Sequence, residues 1–351
     1  MRTQNRYAQF FRRHFELFAS MDGDQLAFQR LRNCGANKKK PAVNSPDYDE
    51  DEVCGEFRAA RKIVYRCQRF LAPVVVENSY PSKITLVTQF SMERFQFFEK
   101  LAESWEGPIS AAVYGSDAEV FQLMEFWKSS KLGKTRKNIG LHGVFKKGPF
   151  YPVNYLRNVA INATRSEFIF LLDVDFLPSR GLEGALLSST AEFAANSVLV
   201  VPAFEMTRSG TSELLEKEEL LKEWDLGTVQ PFRSDVWPQG HAPTNYSRWR
   251  ESGAQYATSW AQDYEPYFMI RKSDCPLYDR RFVGFGWNKV AHAMQLNRLG
   301  FKFNVHPSGF ILHQPHAPSF EIHKYRKQPI YRKCMQTLKG EFVRDLITGV
   351  L

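Results

Sequence analysis

From about residue 55 onward, the chain switches repeatedly between two kinds of hydrophobic spacing. "EFRAARKIVYRCQRFL" (56–71) carries its apolar residues at helical intervals, whereas "SKITLVTQF" (82–90) is a β-rich run. "MERFQFFEKLAESW" (92–105) returns to helical spacing, and "ISAAVYG" (109–115) predicts a second strand. "DAEVFQLMEFWKSS" (117–130) predicts a helix starting at Asp117, and "GLHGVF" (140–145) a third strand. "PVNYLRNVAINA" (152–163) is helical, with Pro152 in its first turn. "EFIFLLD" (167–173) is continuously apolar, as expected for a strand buried on both faces. Regular alternation of strand and helix predicts the α/β class: a mainly parallel central sheet with right-handed crossovers.

The texture before residue 55 is different. "NKKKPAVNSPDYDEDE" (37–52) passes from a basic to an acidic cluster through Pro and Ser, the composition of a solvated linker. Residues 1–54 therefore read as an extension or linker, partly disordered, and 55–351 as one folded domain. "MRTQNRYAQFFRRHFELF" is not a secretory signal, since Arg12, Arg13 and His14 break its apolar run. No stretch reaches the ~18 apolar residues of a membrane span, although 5–20 allow an amphipathic surface helix. Cys34, Cys54, Cys67, Cys275 and Cys334 form no zinc spacing and leave disulfide pairing undecided. Asn162 and Asn245 stand in glycosylation sequons.

The chemistry begins at "FIFLLDVDFLP" (168–178). In an open α/β sheet, ligands bind beyond the carboxyl ends of the strands, and Asp173 and Asp175 sit at such an end. Strand alternation would point both carboxylates the same way and turn Val174 into the core. Two hard oxygen ligands there suit Mn²⁺ or Mg²⁺ carrying a diphosphate. An isolated D-x-D also arises as a helix cap or a surface pair. The buried strand before this pair makes it resemble the metal motif of GT-A glycosyltransferases.

Longer segments narrow the resemblance. "VWPQGHAPTNYSRWR" (236–250), "QDYEPYFMIRKSDCPLYDRRFVGFGWNKVAHAMQL" (262–296) and "GFILHQPHAPSF" (309–320) closely resemble glycosyltransferase family 49. That family includes the glucuronosyltransferase domain of the LARGE proteins and the related β-1,4-glucuronyltransferase. "ITLVTQFSMERFQ", "WEGPISAAVYGSDAE", "FYPVNYLRNVA" and "LVVPAFE" extend the match over about 82–345. The resemblance implies a GT-A nucleotide-sugar-binding fold, a UDP-glucuronate donor, Mn²⁺, inverting transfer to a glycan acceptor ending in xylose, and Golgi residence. This chain shows neither the xylosyltransferase-like first domain nor the membrane anchor of such enzymes, so a cytosolic or truncated form stays open.

The resemblance also assigns residues. Asp173 and Asp175 would hold the metal, with His313 as third ligand and His316 its competitor. Thr88, Gln89 and Arg94 would meet the nucleoside, and Arg157 the phosphate or the donor carboxylate. Inverting transfer needs a general base. "QDYEPYF" offers Glu265, with Asp263 as runner-up, both on one face if the segment is a strand. Lys289 would bind the donor carboxylate, and His241 and Asn245 would lie near a sugar. Trp287 and Trp260 are candidate sugar platforms beside Gly284 and Gly286, whereas Phe282 and Phe285 read as core.

The formal charge of +9 favours anionic partners. A nucleic-acid binder would account for that charge, but no zinc spacing, RNP aromatic motif or long basic helix accompanies it. Two other readings stay open: the same fold using UDP-xylose, UDP-N-acetylglucosamine or UDP-galactose, and a catalytically inactive glycan-binding relative.

Overall fold

The computed structural model describes residues 54–72, 84–207 and 215–350. They fall within one compact unit, Glu50–Leu351. The expectations for 1–53, including the amphipathic helix and the partial disorder, lie outside the described residues.

A nine-stranded sheet runs through this unit in the order β1-β4-β3-β2-β5-β11-β7-β12-β10. Its strands are β1 (Cys67–Gln68), β2 (Ile84–Ser91), β3 (Ile109–Gly115), β4 (Ile139–Phe145), β5 (Phe168–Leu171), β7 (Ser197–Val201), β10 (Tyr256–Thr258), β11 (Tyr267–Arg271) and β12 (Lys302–Val305). A second sheet, ordered β6-β13-β8-β9, consists of β6 (Phe176–Pro178), β8 (Ala203–Met206), β9 (Val229–Pro231) and β13 (Ile311–His313). The class is α/β. Strands β4, β3, β2 and β5 are parallel, and β11 then enters antiparallel to both β5 and β7.

The continuous apolar runs follow from burial on both faces. Phe168 and Phe170 of β5 pack into one core, with Ile109, Ala111 and Val113 of β3. Ile169 and Leu171 point into the opposite core, with Ala112 and Tyr114. The helix Phe95–Ser104 covers the first face through Phe95, Phe98 and Leu101. The helix Val153–Ala163 covers the second through Leu156, Val159 and Ala160. The helix predicted to begin at Asp117 is capped one residue earlier. Ser116 accepts from the Glu119 N–H, and Glu119 reaches back to the Ser116 N–H.

The chain departs from its predicted pattern at residues 56–71. The helix there is only Gly55–Ala60, and Cys67–Gln68 pairs antiparallel to β4. The partners that decide this lie far along the chain. Phe57 and Ala60 pack under the C-terminal helix Pro329–Thr348, whose Tyr331, Cys334, Met335, Leu338, Phe342 and Leu346 form one apolar stripe. A Cys54–Cys334 disulfide and an Arg58–Glu341 ion pair of 2.6 Å fasten the same two segments.

This topology positions the site. From β2 the strands progress outward through β3 to β4; the helix Val153–Ala163 then returns the chain to β5, on the other side of β2. The crevice beyond the ends of β2 and β5 is therefore a topological switch point.

Candidate active site

Strand β5 ends at Leu171, and β6 begins at Phe176 in the other sheet. Asp173 and Asp175 thus occupy the turn between two sheets, not a continuing strand. They do not share one ligand direction, as strand alternation had predicted, and each carboxylate has its own partners.

Asp173 faces the first sheet. Arg157 donates to its Oδ1 at 2.7 Å. Tyr267 Oη and Lys289 Nζ donate to Oδ2 at 2.9 and 3.1 Å. Lys289 also donates to Tyr267 Oη at 2.5 Å, and Arg157 to Asn154 and Asn288. Burial pushes the Asp173 carboxyl up, but Lys289 and Arg157 outweigh burial and hold it far below the ordinary range. Val87, Leu171, Leu172, Pro266 and Tyr278 complete a small cleft here. Among the residues lining the cleft, two cations, buried Arg157 and half-buried Lys289, face the single Asp173 carboxylate.

Asp175 faces the second sheet. Antiparallel register places Phe176 opposite His313, and the Gln314 N–H donates to the Asp175 carbonyl at 2.8 Å. His313, the last residue of β13, and His316, in the following loop, turn their rings to the same point. His316 Nε2 lies 2.8 Å from Asp175 Oδ2, His313 Nε2 lies 3.6 Å from it, and the two Nε2 atoms are 3.2 Å apart. Donors around a single ion stand roughly 3 Å from one another. His316 Nδ1 lies 2.8 Å from the Ala317 carbonyl, so this nitrogen carries a proton and, in the neutral ring, Nε2 keeps its lone pair. The other Asp175 oxygen, Oδ1, is buried without a partner among the described residues. An orphaned oxygen beside two imidazoles fits a divalent cation. The histidines favour Mn²⁺ over Mg²⁺, which prefers an all-oxygen shell. Asp175, His313 and His316 form the group that could hold an ion; Asp173, also expected among the ligands, is paired with Arg157 and Lys289.

Thr88 and Gln89 lie where β2 continues past its pairing with β5, so they adjoin the Asp173 turn. Thr88 Oγ1 is buried and has no partner among the described residues, and Gln89 accepts from Tyr151. Arg94 donates to the Ala317 carbonyl at 3.0 Å, fastening the loop that carries His316.

Glu265 and Asp263 are not on a strand; they precede β11, which begins at Tyr267. Asp263 has φ +67°, and the Glu265 N–H donates to the Gly240 carbonyl at 2.9 Å. Positive φ at Asp263 breaks the period of two that would have put both carboxylates on one face. Burial raises the Glu265 carboxyl, and nearby Asp173 adds to this, while Lys289 and Arg233 oppose it. His241 is buried with its ring stacked on Tyr267 at 6.2 Å. Burial, Lys289 and Arg233 lower it to about 3, so it is neutral.

Other expected residues are placed elsewhere. Asn245 is exposed and caps the helix Tyr246–Glu251, accepting from the Arg248 N–H at 3.1 Å. Trp287 packs against the C-terminal core, with Lys339 Nζ 4.0 Å from its ring centroid. Trp260 packs against the core of the second face. Gly284 approaches Tyr331 and Glu321, not an open cleft. Hydrophobic and polar spacing gives no sign of a role for Tyr151, Arg233 or Trp237. Tyr267 carries a signal, two positions past Glu265 at the start of an apolar strand, and Trp237 and Tyr151 lie in segments that carry the family resemblance.

Against known sequences, the profile of a family described as a glycosyl-transferase for dystroglycan matches residues 83–147 and 129–345. Relatives include the xylosyl- and glucuronyltransferases LARGE2s of Danio rerio and LARGE1 of Homo sapiens, 44% and 43% identical, each matched over 99% of this chain and 47% of its own length. The chain spans about half the length of these curated relatives. Among solved structures it is similar to S. aureus TarS 1–349 in complex with UDP-GlcNAc, at 11% identity, 73% of this chain, 65% of that chain and TM-score 0.43. It is also similar to GalNAc-T7 with UDP, GalNAc and Mn²⁺, at 13% identity, 72% and 47% coverage and TM-score 0.46. By the family profile, the chain belongs to glycosyltransferase family 49.

Proposed function

We propose that this chain carries an inverting, Mn²⁺-dependent glucuronosyltransferase of the GT-A type, moving glucuronate from UDP-glucuronate to a xylose-terminated glycan. The observation that carries this reading is the pairing of two cations, buried Arg157 and half-buried Lys289, with the single Asp173 carboxylate, next to the Asp175–His313–His316 group. A donor bearing a sugar carboxylate as well as a diphosphate answers that charge excess better than a neutral sugar does. The curated relatives named as xylosyl- and glucuronyltransferases support the same class. In this reading residues 55–351 form the catalytic domain.

Asp175, His313 and His316 would hold the ion, which when bound would neutralise the leaving diphosphate. Thr88 and Gln89 would contact the nucleoside. Arg157 and Lys289 would receive the sugar carboxylate and keep it oriented. Glu265 would accept the proton of the acceptor hydroxyl as its oxygen bonds to the anomeric carbon. The anomeric carbon–phosphate oxygen bond breaks on the opposite face and UDP departs with the electron pair.

No described helix is long and apolar enough to cross a membrane. The Cys54–Cys334 disulfide supports maturation in an oxidising compartment, in keeping with a Golgi-lumen site.

The test is UDP release by purified protein with Mn²⁺ across UDP-glucuronate, UDP-xylose, UDP-N-acetylglucosamine and UDP-galactose, with and without a β-xyloside. We expect acceptor-stimulated release from UDP-glucuronate alone, abolished in Asp175→Asn. Stimulated release from a neutral-sugar donor would overturn the specificity.

A further inference from the structure

The turn that precedes His241 has no part in the reaction as described so far, yet it abuts the candidate base. Trp237 is 39% exposed, and its neighbour Val236 is 61% exposed. The loop is not loose. The Trp237 N–H donates to the Arg233 carbonyl at 2.8 Å, and the Gly240 N–H to the Trp237 carbonyl at 3.1 Å. Gly240 itself is buried, and two groups close on its α-carbon. A β-carbon there would stand 2.5 Å from Trp237 Cδ1, 2.9 Å from its Nε1 and 3.2 Å from Glu265 Oε1. The indole and the carboxylate are thus packed against one glycine, with no side chain between them.

A third group joins them. His241 follows Gly240 and is 3% exposed, yet its Nε2 has no hydrogen-bond partner among the described residues. A buried polar atom without a protein partner is open to a water, an ion or a ligand group. The donor-side cleft is accounted for by Arg157, Lys289 and Asp173. An apolar ring face, a proton acceptor and an unsatisfied imidazole nitrogen remain, all on the Trp237–His241 turn or packed against it. A pyranose offers matching groups: a C–H face for the indole and hydroxyls for Glu265 and His241.

We infer that Trp237, His241 and Glu265 form the acceptor-sugar subsite, with Trp237 as the platform and Gly240 the gap that lets indole and carboxylate meet one ring. This rests on the glycosyltransferase reading above and deepens it on the acceptor side. It also moves the platform from Trp287 and Trp260, which pack against the cores, to a tryptophan inside the quoted "VWPQGH" segment.

The experiment is acceptor saturation with a 4-nitrophenyl β-xyloside at fixed UDP-glucuronate and Mn²⁺, in wild type, Trp237→Ala and Trp237→Phe. In Trp237→Ala we expect the acceptor KM to rise on the order of tenfold or more, with the UDP-glucuronate KM within about twofold of wild type. Trp237→Phe should recover most of the loss, which an unfolded or misplaced loop would not allow. An unchanged acceptor KM in Trp237→Ala overturns the subsite. If wild type transfers no sugar at all, the function fails separately. Saturation-transfer NMR between protein and xyloside, in the presence of UDP, then decides the subsite: a signal lost in Trp237→Ala supports it, and no signal in wild type overturns it.

Discussion

The turn Leu172–Asp175 divides two carboxylates of one short motif between two tasks. Asp175 joins two histidines and keeps an oxygen without a partner, whereas Asp173 is neutralised by Arg157 and Lys289. Asp175→Asn, His313→Gln and His316→Gln should therefore each weaken Mn²⁺ binding by at least about tenfold, as measured by titration calorimetry. His316→Gln binding Mn²⁺ as wild type does would return the site to His313 alone. Lys289→Met should raise the KM for UDP-glucuronate by on the order of tenfold and leave UDP affinity within about twofold, separating carboxylate recognition from nucleotide recognition. Glu265 supplies a pH signature. Burial raises its carboxyl, so the proton-accepting form is complete only above that raised value. Turnover should fall as pH drops through a pKa above the ordinary carboxylate range, and Glu265→Gln should lose both turnover and this acid limb.

At the level of elements, the site depends on register and on one tight backbone approach. Because His313 pairs with Phe176, the residue before β6 meets the residues after β13; a one-residue slip would turn His313 to the other face. The segment before the helix Asn288–Arg298, which presents Lys289, is held differently. Gly284 has φ +67°, and a β-carbon on it would stand 2.0 Å from Tyr331 Oη, which accepts the Phe285 N–H at 2.8 Å. Gly284→Ala combines a disfavoured backbone with a steric clash. It should cost about 2–4 kcal/mol, read from the urea midpoint.

Over the whole molecule, the Cys54–Cys334 bridge joins positions 280 residues apart. It clamps the helix Gly55–Ala60 onto the C-terminal helix, whose apolar cluster contains none of Asp175, His313 and His316. A link spanning that much chain restricts the unfolded state strongly, so its reduction should cost about 2–5 kcal/mol. The melting temperature should fall by several degrees in dithiothreitol, while Mn²⁺ affinity measured below the transition stays unchanged. Equal melting temperatures with and without reductant would remove the bridge from the stability of the fold.

The sequence by itself determined what local physics controls. Strands β2 to β5 and the helices between them are legible because burial on both faces writes continuous apolar runs, and helices write a period near 3.6. Asp173 and Asp175 could be read as site candidates because they follow a buried apolar strand run, whereas His313 was reached through the family resemblance. Tertiary structure decided what depends on residues distant in sequence. Periodicity marked 56–71 as one helix, but packing against 331–346 and pairing with β4 split it. It also separated Asp173 from Asp175, brought His316 to the same point as His313, withdrew Trp287 and Trp260 against the cores and set Trp237 beside Glu265. These are contacts between side chains that share no helix or strand. Their energies arise only when two sheets and their connecting loops are brought together, and no spacing along a single segment records that meeting.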